Sequence, residues 1–392
     1  MTERDNPSNT IESCPEESIK HDPVLEASRL VDLEAPDGGR GWVVVAGCAV
    51  PIYWFMGTSY SWGVIQNALV EDDVGSAASL SFVGSVATAM TSAMALITVK
   101  ISGLLGSRYT YGFSRPSPVV LQKKRGLAND IVFTTNGLGD AITSLAINSL
   151  VKAVSPTWTF RILGFLIIDI KLPAAWLIQE RRKMPNRAID SGLFRNIKFT
   201  LLFVAGAIGS FPLLVPPFFI PLYSRSIGLE SRTGAFLVAG FNFSSAIGRI
   251  SSGLLSDRIG AVNSLFSALT LNALSILVMW PLSTSIGSLI AFVVISGISS
   301  GAFFSAMPTT VGNIFGSARV SGAMEFIVTG WVGGFTMGAP IAGYMLGAFG
   351  GRQAGSKSYR PAIFWAGAMA LTAAILIDVM RFRLSRKLMA KV

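Results

Sequence analysis

Charge is scarce in this sequence. Only 14% of its 392 residues are Asp, Glu, Lys or Arg, against about a quarter in ordinary soluble proteins. Hydrophobic residues make up 51%, far more than one soluble core can hide, so a soluble globular class is excluded. Histidine is rarer still: His21 is single and sits in a polar N-terminal stretch. That removes His-based acid–base catalysis and His metal sites. The two cysteines, Cys14 and Cys48, lie in that polar stretch and in an apolar one, so no disulfide framework is indicated. The sequence shows no G-x-x-x-x-G-K-[ST] phosphate loop, no metal-ligand cluster and no nucleophile beside a base. It reads as a non-enzyme that requires no cofactor and no metal.

What is present is long apolar runs. A hydrocarbon core of about 30 Å needs roughly 20 apolar residues per helix. Ten segments reach that length: Trp42–Gln66, Leu80–Val99, Leu127–Val151, Trp158–Ile178, Phe199–Tyr223, Gly234–Leu255, Val262–Leu282, Ile286–Val311, Gly322–Phe349 and Ala362–Met380. Phe199–Tyr223 carries Pro212, Pro216, Pro217 and Pro221, the composition of a kinked helix whose freed backbone groups need neighbours or water. The 40 glycines and 13 methionines suit packed membrane helices, where small residues let backbones approach.

The net charge of +10 invites a nucleic-acid reading, but its distribution refuses one. With the N-terminus cytoplasmic, 23 of the 32 Lys and Arg fall in inner loops and tails and 6 in outer loops. That asymmetry is the positive-inside rule. It predicts an integral, multi-pass protein with both termini cytoplasmic; the plasma membrane is the default location, with vacuolar or other internal membranes as alternatives. Its partner is then the lipid bilayer, and no nucleic acid. Residues 1–41 read as a disordered cytoplasmic tail and 42–178 as a first helical bundle. A basic cytoplasmic linker (179–198), a six-helix bundle (199–380) and a cytoplasmic tail (381–392) follow.

One loop carries a specific pattern. Gly253-Leu254-Leu255-Ser256-Asp257-Arg258-Ile259-Gly260 fits G-x-L-x-D-R-x-G. A weaker copy, Gly103-Leu104-Leu105-Gly106-Ser107-Arg108, stands in the first half with Ser107 in the Asp place. Glycine there lets two helices approach, and Asp257 and Arg258 at a helix end can lock neighbours by charge-assisted hydrogen bonds. The pattern resembles the loop signature of the major facilitator superfamily, and its recurrence fits the repeat design of those transporters. Asp37-Gly38-Gly39-Arg40-Gly41-Trp42 and Lys123-Lys124-Arg125-Gly126-Leu127-Ala128, followed by Asn136-Gly137-Leu138-Gly139, resemble the opening and fifth-helix motifs of the monocarboxylate porter family. Gly297–Pro308, with Gly301 and Phe304, looks like its tenth helix. The likeness is nearest to that family's fungal branch.

The resemblance implies an all-α, two-bundle fold and secondary transport by alternating access of an anionic organic solute, monocarboxylate-like or larger. It also names a site. Arg249, in the eighth family helix with Asn242 and Ser245, stands where the family's arginine is implicated in binding a substrate carboxylate, and a guanidinium suits a planar bidentate anion. Ser245 replaces the usual acidic companion. The alternative for Arg249 is a structural arginine capping carbonyls or snorkelling inward. Tyr60 and Phe304, with Trp54, Trp62 and Phe303, could face an aromatic substrate; packing against helices or lipid is the competing role. Asp130 and Asp140 on the fifth helix are candidate gating or coupling groups, as are Asp257 and Arg258. At 1.5 Å per residue, Asp130 lies about 5 Å in, Arg249 about 9 Å and Asp140 about 20 Å, which favours Asp130 as the partner of Arg249. Val64 occupies the place of the family's proton-coupling lysine, leaving facilitated diffusion, or coupling through Asp140 or Glu325.

The family fold needs twelve helices and the apolar runs supply ten, four in the first half and six in the second. Only Tyr109–Gln122 separates the first-half loop from the fifth-helix motif. At most about 21 Å of helix fits there, less than one crossing. The expectation is therefore a chain lacking two helices, with a transport-inactive truncated product, or a membrane sensor, as the competing function. A long signalling tail would mark a sensor, and the sequence stops soon after Arg383.

Overall fold

The computed structural model describes residues 46, 50, 53, 54, 57–94, 97, 125–177, 191–351 and 354–384. For residues 125–138 and 140 it describes the backbone alone. The expected tail 1–41, the motifs at Asp37–Gly41 and Gly103–Arg108, and most of the linker 179–198 lie outside the described residues.

The described chain is helical. In the first half α1 spans Trp62–Glu71, α2 Ala77–Ala93, α3 Arg125–Val154 and α4 Pro156–Leu177. In the second, α5 spans Ile197–Gly209, α6 Val215–Ser226, α7 Ser231–Ile259 and α8 Ala261–Leu274. The latter runs on through a π turn, Ser275–Met279, to Leu282. Then come α9 Ile286–Phe315, α10 Ser317–Gly330, α11 Val332–Ala348 and α12 Arg360–Leu384.

Local chemistry sets these boundaries. Ser76 Oγ accepts from Ser79 N (3.2 Å) to start α2, and Asn196 Oδ1 accepts from Lys198 N (3.0 Å) to start α5. Ser285 and Ser288 form a reciprocal capping box at the head of α9. Each satisfies amides that a first turn leaves orphaned. Gly260 separates α7 from α8 with φ at +95°, a backbone region that costs other residues dearly, so the last glycine of the loop motif is a backbone requirement.

Several expected segments differ, three of them in ways that matter here. Phe199–Tyr223 is interrupted at Ser210–Leu214, because Pro212 cannot continue a hydrogen-bond ladder. Gly322–Phe349 is interrupted at Trp331, within Gly330-Trp331-Val332-Gly333-Gly334, where glycine lowers helix propensity. The last helix runs to Leu384 instead of ending at Met380. Arg381 therefore belongs to α12, where its Nε donates to Asn263 Oδ1 and its guanidinium lies 3.7 Å from Asp378.

Among the described residues four helices are long and apolar enough to cross a membrane: Ala261–Leu282, Ile286–Phe315, Gly322–Ala348 and Ser356–Leu384. Shorter apolar helices include Ala77–Ala93, Ala141–Val154 and Ile197–Gly209. Large apolar side chains such as Phe243, Leu254, Leu274, Tyr344 and Ile375 are exposed, which suits lipid and not water. The two halves meet chiefly along two helix pairs, α3 against α7 and α2 against α11, while α7 crosses α9 within the second half.

Candidate functional site

The α7–α9 crossing is tight because glycines face backbone there. A Cβ on Gly301 would lie 1.9 Å from Ser245 O, one on Gly248 2.0 Å from Ile298 O and one on Gly297 2.5 Å from Phe241 O. Without side chains at these positions the helices close together. Arg249, four residues after Ser245, and Phe304, three after Gly301, are thereby brought side by side.

Arg249 is 4% exposed, and its guanidinium carbon lies 5.8 Å from the centroid of the Phe304 ring. That is within cation–π range. Phe304 in turn meets Tyr60 of the first half edge-on (6.4 Å), Phe303 (5.6 Å) and Trp331 (5.8 Å). A buried cation therefore sits against an aromatic group drawn from both halves. Trp331 stands at the interruption between α10 and α11. The interruption in the preceding helix packs beside it: Ser210 Oγ donates to Trp331 O (3.5 Å), and a Cβ on Gly338 would lie 2.2 Å from Phe211 O. Discontinuous helices near a bundle's middle are a recurrent way to build solute sites.

Of the residues anticipated from sequence, Arg249, Tyr60 and Phe304 converge. Asn242 makes a separate polar bridge between the halves: its Nδ2 donates to Ser144 Oγ on α3 (3.2 Å), and Ser144 Oγ shares a hydrogen bond with Ser61 Oγ (2.8 Å). Ser245 is buried, with its backbone against Gly301. Trp62 is a packing residue, its Nε1 donating to Leu80 O (3.0 Å) with its ring 6.1 Å from Phe160.

The side chains of Asp130 and Asp140 lie outside the described residues, but the backbone fixes their register. The antiparallel pair α3 and α7 is pinned by Asn242 opposite Ser144. Arg249, seven residues further along α7, then falls level with Gly137. Asp140 is three residues from that level, about 4.5 Å, and Asp130 seven, about 10 Å. On this register the backbone of Asp140 lies nearer the level of Arg249 than that of Asp130.

Asp257 and Arg258 are exposed at the end of α7, and among the described residues neither takes part in an ion pair or side-chain hydrogen bond. Gly253 has open space where a Cβ would stand. The expected lock and close approach at the motif's head are therefore not seen there. Close approach belongs instead to Gly248, Gly297 and Gly301.

Sequence reasoning did not reach Ser61, Ser144 and Trp331, nor a seam at the Glu71 end of the bundle. A Cβ on Gly63 would lie 2.1 Å from Pro217 O and 2.9 Å from Phe218 Cα. Asn67 Nδ2 donates to Ser231 Oγ and to Glu71 Oε1, both at 3.2 Å, and Arg225 Nε pairs with Glu71 Oε1 at 2.8 Å. The halves are closed together at this end. A pocket of about 170 Å³, bordered by Glu71, Asn148, Lys152 and Ser231, shares no residue with the surroundings of Arg249. Serines and an asparagine in apolar runs were the available signal, but pairing across about 100 residues has no local periodicity to betray it.

Residues 199–391 match the Major Facilitator Superfamily. An MFS-type transporter of Gibberella moniliformis is 29% identical over 239 residues, 59% of this chain and 56% of that protein. This chain thus spans little more than half of that relative's length. The aspyridones efflux protein of Emericella nidulans is 25% identical over 391 residues, covering 88% of this chain and 79% of that one. Among solved structures, a bacterial homolog of the human lysosomal transporter Spinster, inward-facing and occupied, superposes with a TM-score of 0.56 at 15% identity. That alignment covers 88% of this chain and 98% of the other. The nucleoside transporter NupG gives 0.51 at 13%, over 91% and 96%. The fold is the polytopic helical fold of the major facilitator transporters, and the findings support that superfamily for this integral, multi-pass membrane protein. The matched family and relatives are transporters of small-molecule solutes, not enzymes.

Proposed function

We propose that this chain is a secondary transporter of the monocarboxylate porter type, moving an organic anion with aromatic or large apolar bulk by alternating access. The observation that carries the reading is Arg249, buried against an aromatic group to which both halves contribute. A guanidinium offers a bidentate fork to a carboxylate, and the rings offer stacking surface to the remainder of the solute. Rocking of the halves would remake the Tyr60–Phe304 contact and the Asn242–Ser144 bridge at each cycle. The relatives' names as efflux proteins favour export. The charge distribution favours cytoplasmic termini, with the Glu71 end facing outward across the plasma membrane.

Counterflow in proteoliposomes tests this: vesicles loaded with an aromatic carboxylate should accumulate the labelled compound saturably. Its uncharged amide should compete weakly. Equal competition by acid and amide would remove the anion from the reading, and no flux above empty vesicles would remove transport.

A second reading has its own support. On α4, Trp158, Phe165 and Ile168 are exposed, and so is Asp169 midway along the helix. A carboxylate facing lipid costs about 2.5–3.5 kcal/mol even on permissive scales. That face suits cover by further helices, in keeping with a first half two helices short and a transport-inactive product. Sequencing the transcript across Ser107–Leu121 separates the readings, since additional coding sequence with two apolar runs would restore an ordinary transporter.

A further inference from the structure

Gln66 on α1 is 0% exposed, and neither its Nε2 nor its Oε1 has a hydrogen-bond partner among the described residues. Its place on the helix is settled by its neighbours. Tyr60, Gly63 and Asn67 all face the second half, through Phe304, Pro217–Phe218 and Ser231 respectively. Gln66 lies three residues after Gly63, about 60° from it on the side away from Tyr60 and Asn67 and toward Trp62, whose Nε1 donates to Leu80 O of α2. The amide is therefore shut in beside the Gly63 contact, between the seam and α2.

In this state the side chain is a liability. A buried donor or acceptor left unmet is destabilising, while an apolar group of similar shape carries no such cost. Its neighbour Asn67 is also buried, yet uses its Nδ2 on Glu71 and Ser231. A primary amide retained without a structural partner points to service in another state. When the Glu71 end opens, the Gly63–Asn67 face parts from Pro217–Phe218 and becomes cavity wall. Gln66 then offers a carbonyl acceptor and two N–H donors.

We propose that Gln66 is a substrate-contacting, specificity-determining residue of the state open at the Glu71 end, hydrogen-bonding a carboxylate, carbonyl or hydroxyl of the solute. The proposal rests on the transport reading above. It adds a second polar contact, on the opposite half from Arg249, used in only one of the two states.

Gln66→Leu and Gln66→Cys test it, the latter with Cys14 and Cys48 replaced by serine. The aromatic carboxylate used for counterflow serves as solute and a membrane-impermeant thiol reagent as probe. Gln66→Leu should melt at or above the wild-type temperature in detergent. Its KM measured from the Glu71 side should rise about tenfold, with the opposite side changing less than twofold, as expected where a contact is made in one state alone. Gln66→Cys should be labelled from the Glu71 side only, and more slowly with saturating solute present, because bound solute covers the position. A lower melting temperature for Gln66→Leu, or unchanged KM on both sides, overturns the proposal. If the wild type carries no flux, the transport reading fails and the thiol reaction still decides. Solute-dependent labelling keeps Gln66 as a contact, and its absence removes it.

Discussion

Replacing Gly301 by alanine adds one methyl at the point where α7 and α9 touch. That Cβ would stand 1.9 Å from Ser245 O, 2.7 Å from its carbonyl carbon and 2.8 Å from its Cα. All three are backbone atoms, so no rotamer change relieves the clash. Ordinary contact begins at 3.4 Å, so the helices must part locally by about 1.5 Å, the difference between 3.4 and 1.9. Overpacking of this kind costs about 1–3 kcal/mol, against which alanine's helix propensity returns under 1 kcal/mol. Net destabilisation follows. Because Phe304 and Arg249 lie within one turn of the crossing, the same shift loosens the 5.8 Å cation–π contact, and transport should fall further than protein abundance. The assay is thermal unfolding in detergent, read by monodisperse elution, for Gly301→Ala beside Gly287→Ala. Gly287 lies in α9 with open space around it, so its alanine variant should be neutral or slightly stabilising. Equal melting temperatures for the two variants would refute the crossing geometry.

Other outcomes follow from the same contacts. Ser144→Ala removes the acceptor of Asn242 and the partner of Ser61, and should lower the melting temperature by the equivalent of about 1–2 kcal/mol. Asn242→Ala in that background should add little. Glu71→Gln should hardly change stability, since its pair with Arg225 is partly exposed and worth about 0–1 kcal/mol. Disulfide trapping of Glu71→Cys with Arg225→Cys should nonetheless arrest transport while the bond lasts, and continued transport would separate this seam from gating. A cysteine at Asp72 should react with impermeant reagents from outside only; labelling from the cytoplasmic side alone would invert the topology.

Much of the architecture was legible because apolar length is a strong signal. Ile286–Phe315 and Ala261–Leu282 begin within a residue of where composition placed them. Interruptions were less legible: proline announced the one at Ser210–Leu214, but nothing before Trp331 marks a break except glycine, which membrane helices also use for packing. The site was half legible. Arg249 stands out as a charge in an apolar run, and Phe304 was reached by resemblance. Ser144 could not be reached, because a serine in a helix says nothing about which helix it faces until the α3–α7 register is known. The end of α7 was less legible for a related reason: the apolar run stops near Leu255, while the helix itself continues through the polar Ser256-Asp257-Arg258 turn.

The most direct measurement is solute flux in sealed vesicles carrying wild type, Arg249→Lys or Arg249→Gln at matched membrane abundance. The proposed site predicts saturable flux of an aromatic carboxylate for the wild type. Flux should fall at least tenfold for lysine, which keeps the charge but loses the planar fork, and should be absent for glutamine. Wild-type flux from both variants would contradict it, leaving Arg249 a structural cation beside Phe304 and the aromatic group a piece of packing.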